Sequence, residues 1–137
     1  MMRRDIGMQY IPKDQRFHTS SEGQSMLKEI VKGTEQFHPF SKQVEVYMLA
    51  LAVGIMNREM VPVKKEETLF VLETYSHYDE FGVYPMIIKS LYPNAEPDEI
   101  GDMIDKFAAA GLKALYREFK ENGKIDFQAL VNQSRKS

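Results

Sequence analysis

Residues 42–57 constrain this chain more than any other stretch. Val44, Tyr47, Met48, Leu51, Ala52 and Ile55 fall at helical spacing on one stripe, and Val46, Leu49, Ala50 and Val53 fill much of the remaining circumference. A helix apolar nearly all round has no face to give to water, so it belongs at the centre of a domain with other helices packed around it. Val46–Met56 is also the longest apolar run. At about half of the ~20 residues needed to span a bilayer, it reads as a buried helix and not as a membrane segment.

A second long helix is expected over Pro97–Asn122. Asp98 and Glu99 in its first turn and Lys120 in its last complement the helix dipole, and Asn122 with Gly123 stops it. Ile100, Ile104, Phe107, Gly111, Leu115 and Phe119 alternate steps of four and three, with Met103, Leu112 and Tyr116 widening the stripe. Ala108, Ala109, Ala110 and Gly111 leave little side-chain bulk in the middle, where a partner helix can cross closely.

Shorter elements fill in around these two. Ser21 and Gln24 have capping-box spacing at the head of a helix over Ser21–Lys32, which Gly33 closes. Ser41 is the expected cap of the central helix. Asn57–Lys65 is a connector containing Pro62. Glu66–Ser76 is read as a third helix; Leu69, Phe70, Val71 and Leu72 also suit a short buried strand, but no convincing partner strand is apparent. Tyr75–Tyr84 reads as a loop, Pro85 heads a short helix ending near Leu91, and Pro93, Asn94 and Pro97 punctuate the next turn. Asp126 caps a last short helix through Phe127, Leu130 and Val131, and the final residues are expected to fray. Residues 1–18 lack periodicity and read as an extended N-terminal arm, which Ile6, Met8, Tyr10, Ile11 and Phe17 pin either to the body or to a protein partner. The expectation is an all-α single domain over 19–137, of about five to six helices.

The 137 residues include no Cys, which excludes disulfides, thiolate metal sites and a Cys nucleophile. No secretory signal follows Arg3 and Arg4, so a cytoplasmic protein is expected. The net charge of −2 is laid out unevenly. Residues 66–105 hold ten Asp/Glu against one Lys, whereas the flanking segments are net basic. Such polarity either marks ordinary solvated faces or a polarised surface.

No catalytic or cofactor motif emerges. The three histidines, His18, His38 and His77, show neither the Glu-x-x-His pairs of di-iron bundles nor a His-Glu-x-x-His zinc signature. Glu73, His77 and Asp79 are the first suspects for a site assembled without a motif, and Ser76 beside His77 is the only adjacent nucleophile–base pair. Asn122–Phe127 resembles the second half of a calcium loop, but Lys120 and Ala129 occupy positions that need carboxylates. Gly101 and Gly111 are isolated glycines inside a helix, not a phosphate loop. Asp102 and Asp105 are read as solvated helix acids. No cofactor or metal is expected.

Two basic groups are candidates for contact with nucleic-acid backbone: Arg58, Lys64 and Lys65 in the connector, and Lys113, Arg117, Lys120 and Lys124 near the end of the long helix. The aromatics Tyr75, Tyr78, Phe81 and Tyr84 are candidates for a protein-docking surface.

Residues 40–63 resemble the early segment of small proteins associated with DNA phosphorothioation (Dnd) systems, through Phe40, Lys42, Leu49, Ala50, Ala52, Gly54, Arg58, Val61 and Pro62. Residues 104–115 resemble that family's late helix, through Asp105, Phe107, Ala109, Gly111 and Leu112. The resemblance implies an accessory role in prokaryotic DNA modification and restriction, and carries no catalytic residues. The expected function is a non-enzymatic helical interaction protein with a protein partner, possible DNA contact and possible self-association. The alternatives are a DNA-binding regulator or an enzyme at Glu73, His77 and Asp79.

Overall fold

A computed structural model describes residues 3–128 and 130. Five α-helices, α1 (Ser21–Lys32), α2 (Gln43–Asn57), α3 (Leu72–Ser76), α4 (Val83–Leu91) and α5 (Pro97–Asn122), surround one hydrophobic core. A 3-10 helix (Arg3–Tyr10) precedes them, and two short strands, β1 (Arg16–Thr19) and β2 (Glu67–Val71), form an antiparallel sheet. The protein is thus mainly helical but not all-α. Among the described residues no helix is long and apolar enough to cross a membrane.

The most extensive packing is between α2 and α5. Nine of the fifteen residues of α2 are buried, and Val46, Ala50 and Leu51 have no exposure at all. On α5 the whole stripe from Ile100 to Phe119 turns inward. The two axes meet closely because both sides are stripped of side chain at the crossing. A Cβ on Gly111 would lie 1.7 Å from the Ala50 carbonyl oxygen, and one on Gly54 would lie 2.0 Å from that of Phe107. Gly54 and Ala50 of α2 therefore pack against Phe107 and Gly111 of α5.

The helix ends follow capping chemistry. Glu96 and Glu99 bracket the start of α5 around Pro97, and Gly123, in the left-handed region, closes it. For α1 the cap is Ser20, whose Oγ accepts from the Gly23 amide at 3.0 Å, one residue earlier than the Ser21 expected. For α2 it is the Glu45 carboxylate that closes the first turn, accepting from the backbone amides of Ser41 (2.7 Å) and Lys42 (3.0 Å). Arg58 ends that helix with φ 55°, a place usually held by Gly or Asn.

The N-terminal segment is not extended throughout. It winds into the 3-10 helix and then into β1, where Phe17 is fully buried and stacks between Phe70 (5.0 Å) and Tyr75 (4.7 Å). Burying such a side chain is worth roughly 1.5–3 kcal/mol. β1 is also the partner that the Leu69–Val71 run lacked on paper. Arg16 pairs with Val71 and Phe17 with Phe70, and after a bulge His18 pairs with Thr68 and Thr19 with Glu67. The helix expected over 66–76 is therefore a strand followed by a short helix, because long-range pairing overrides local propensity. At the C-terminal end Phe127 is exposed and Leu130 is buried; Val131 and the final residues lie outside the described residues, as does Ala129.

Candidate functional site

The four aromatics expected on a docking surface separate into two pairs. Tyr75 is fully buried and Tyr84 is half-buried, so neither offers a free ring. Tyr78 and Phe81 are exposed, Phe81 by 55%. Tyr75 is drawn inward by Phe17, and its phenol donates to Asp79 Oδ2 at 2.7 Å. The same carboxylate accepts from the backbone amides of Val83 (2.7 Å) and Tyr84 (3.1 Å), which closes the open N-terminus of α4. Burial, and then the neighbouring Asp79 charge, push the Tyr75 phenol far above its ordinary pKa, so it remains a hydrogen-bond donor.

Asp79 is thereby committed to holding α3 to α4. Glu73 and His77 stand exposed, and among the described residues no three Asp, Glu or His side chains gather as metal ligands. Of the three suspects for a motif-free catalytic site, Asp79 is buried and spends its carboxylate on Tyr75, Val83 and Tyr84, whereas Glu73 and His77 face solvent.

A different set of residues is gathered at the surface. Five of the eight exposed large hydrophobic residues, Ile6, Tyr78, Phe81, Val83 and Met86, come from the 3-10 helix and the segment running into α4. These segments touch backbone to backbone: the Gly7 amide donates to the Phe81 carbonyl at 2.9 Å. Gly82 makes this approach possible. Its φ of 66° lies in the left-handed region that favours glycine, and a Cβ there would lie 2.4 Å from the Gly7 carbonyl carbon. Val83 and Met86, three apart, share the outer face of α4. The patch is carried by the acidic part of the chain, with Glu73 and Glu80 exposed on the same segment.

The cations divide as well. Arg58 Nη1 donates to the Ile55 carbonyl at 3.0 Å, and Lys65 pairs with Asp102. Lys120 pairs with Glu29 at 2.9 Å, and Tyr116 donates to the same carboxylate at 2.5 Å. Lys64, Lys113, Arg117 and Lys124 are exposed. The connector runs beside α5, with the Val61 amide donating to the Lys106 carbonyl at 3.2 Å, and Lys113 borders the cleft that Val61 and Val63 line. The two basic groups thus approach each other near Lys113, and among the described residues Lys120 alone of the longer one is paired with a carboxylate.

One polar cluster escaped the sequence reading. Asp105 is 1% exposed, not solvated. It accepts from the Tyr47 phenol (2.6 Å) and the His18 backbone amide (3.0 Å), and His18 Nδ1 approaches its other oxygen at 3.4 Å. Burial raises the pKa of this carboxylate, and the Tyr47 and His18 hydrogen bonds pull against that rise. The signal was present: Gly101, Asp105, Ala108 and Leu112 form one helical stripe, and the other three are small or apolar. The space beside the cluster measures about 10 Å³, well below the roughly 300–1,000 Å³ of small-molecule sites. The cluster therefore reads as a fastener between β1, α2 and α5.

No protein-family model, curated protein or solved structure matches this chain.

Proposed function

We propose that this is a non-enzymatic interaction protein that holds a partner protein against the apolar patch formed by Ile6, Phe81, Val83 and Met86. The observation that carries the reading is the convergence of most exposed large hydrophobic side chains on two segments joined through Gly7 and Phe81. Contiguous exposed apolar surface in a soluble fold marks an interaction site more often than chance scatter does. The acidic setting selects a partner with an apolar anchor and a basic rim, since opposed charge steers encounter and rejects acidic competitors.

The proposal extends to an accessory role in DNA modification and restriction in the cytoplasm, and to backbone contact with DNA through Lys113, Arg117 and Lys124. Support for the first is the resemblance of residues 40–63 and 104–115; support for the second is the exposure of those three cations.

The test compares the native chain with a Phe81→Ser, Met86→Ser double variant. A protein retained by the native chain in its own cells is purified and titrated against both. Hot-spot removal should weaken binding by about 2 kcal/mol or more, near thirtyfold, and higher salt should weaken the native complex. Equal binding by the double variant would refute the patch as the docking surface.

A further inference from the structure

We propose that the outer edge of β2 is a second docking site, which takes an extended peptide as a third strand of the sheet. β2 pairs with β1 along one edge, and the sheet has no other strand among the described residues. Outside that ladder no backbone group of Glu67–Phe70 makes a hydrogen bond to another described backbone group. An unpaired edge presents a row of donors and acceptors ready for another chain.

The edge is not bare; it opens on a groove of about 640 Å³. Leu69, Phe70 and Val71 all line it, and no residue of β1 does. Three consecutive strand residues bordering one groove place it along the edge of the strand, because alternate side chains point to opposite faces. Val31 of α1 and Val44 of α2 supply an aliphatic floor on the far side. Five residues of strand extend about 17 Å, and the groove beside them is open to solvent.

These features select one occupant. Peptides that add a strand gain affinity from main-chain pairing and specificity from alternate side chains. Here the alternate positions meet valine and leucine, so the peptide carries aliphatic residues at every second place. Lys42 is the only charged residue lining the groove, and it is exposed. The Glu45 carboxylate beside it is engaged with the Ser41 and Lys42 amides. The peptide therefore carries an acidic residue where it passes Lys42. A second copy of the chain fits poorly, since its own α1 and α2 wall the same strand and would meet those of the first.

The experiment uses the full chain, isotope-labelled, and a blocked heptapeptide of alternating valine and threonine with a terminal glutamate. Amide resonances of Thr68–Val71 should shift on titration. The same peptide with terminal lysine should bind at least fivefold more weakly, and Lys42→Glu should reverse that order. A peptide N-methylated at alternate residues should not bind, a readout that needs no protein variant. The proposal is overturned by no shift at millimolar peptide, by shifts confined to Phe81–Met86, by equal binding of the N-methylated peptide, or by self-association that pairs β2 with its own copy. Of these outcomes only shifts confined to Phe81–Met86 bear on the Phe81 and Met86 surface, and they would support that surface while overturning the strand site.

Discussion

The Tyr47 phenol donates to the Asp105 carboxylate across 2.6 Å, joining residues 58 positions apart in the middle of the core. With the His18 amide on the same oxygen, this carboxylate binds α2, α5 and β1 at one point. Asp105→Ala leaves a buried hydroxyl and a buried amide without an acceptor, at about 1–3 kcal/mol for each such group. A loss of about 2–4 kcal/mol in urea unfolding is expected, and a smaller one for Asp105→Asn, which keeps an acceptor. The pH dependence has a definite sign. Burial raises the folded pKa above 3.8, so the contribution of this group is fullest below 3.8 and is lost as pH rises through the raised value. Asp105→Asn should gain on the native protein across that window. A constant difference between the two would remove ionisation from the account.

At Gly111 two opposing effects can be weighed. Alanine in a helix is favoured over glycine by about 1 kcal/mol. Its methyl group, however, would lie 1.7 Å from the Ala50 carbonyl oxygen, a main-chain atom that cannot rotate away. Overpacking costs about 1–3 kcal/mol where side chains can adjust, and more against backbone. Gly111→Ala should therefore destabilise by about 2 kcal/mol net. The thermal midpoint should fall by roughly 5–10 °C, and a midpoint at or above that of the native protein would contradict the close crossing.

Glu45 caps α2 as a carboxylate, and its hydrogen bonds from the Ser41 and Lys42 amides lower its pKa below 4.5. The stabilisation is present above 4.5 and fades as pH falls through the lowered folded value. Glu45→Gln should reduce the thermal midpoint at neutral pH, and the gap should close on acidification. A gap that persists at pH 2 would point to geometry and not charge.

Contact with DNA backbone, where it occurs, runs through cations without an internal partner. Lys113→Glu with Arg117→Glu should abolish retention of duplex DNA at low salt. Lys120→Glu should act differently, because it breaks the tie to Glu29 and Tyr116. Retention unaffected by the first pair would remove this face from the proposed function.

The elements legible in the sequence were those with their own punctuation. The bounds of α5 and α1 follow from Pro97, Gly123 and Gly33, each acting within a turn of its helix end. What depended on distant residues was not legible. β2 needed Phe17, which lies some fifty positions away in a stretch with no periodicity, and so it read as helix. Asp105 read as solvated because charge outweighed the small-residue stripe on which it sits. Tyr75 read as exposed because its acidic, aromatic surroundings resemble a loop, yet Phe17 and Asp79 both pull it inside. Of the exposed apolar residues on the proposed surface, Ile6, Tyr78 and Phe81 stand out in the sequence, whereas Val83 and Met86 do not, because they read as ordinary positions of a short helix.

The buried place of β1 bears on how the chain is made. The ribosome releases His18 long before Asp105, which follows 87 positions later. At about 5–20 residues per second the interval is roughly 4–17 s. Phe17 gains its sheet partner Phe70 only 53 positions on, and α5 later still, so β1 settles after the elements that follow it. A nascent chain stalled before Phe70 presents Phe17 to chaperones.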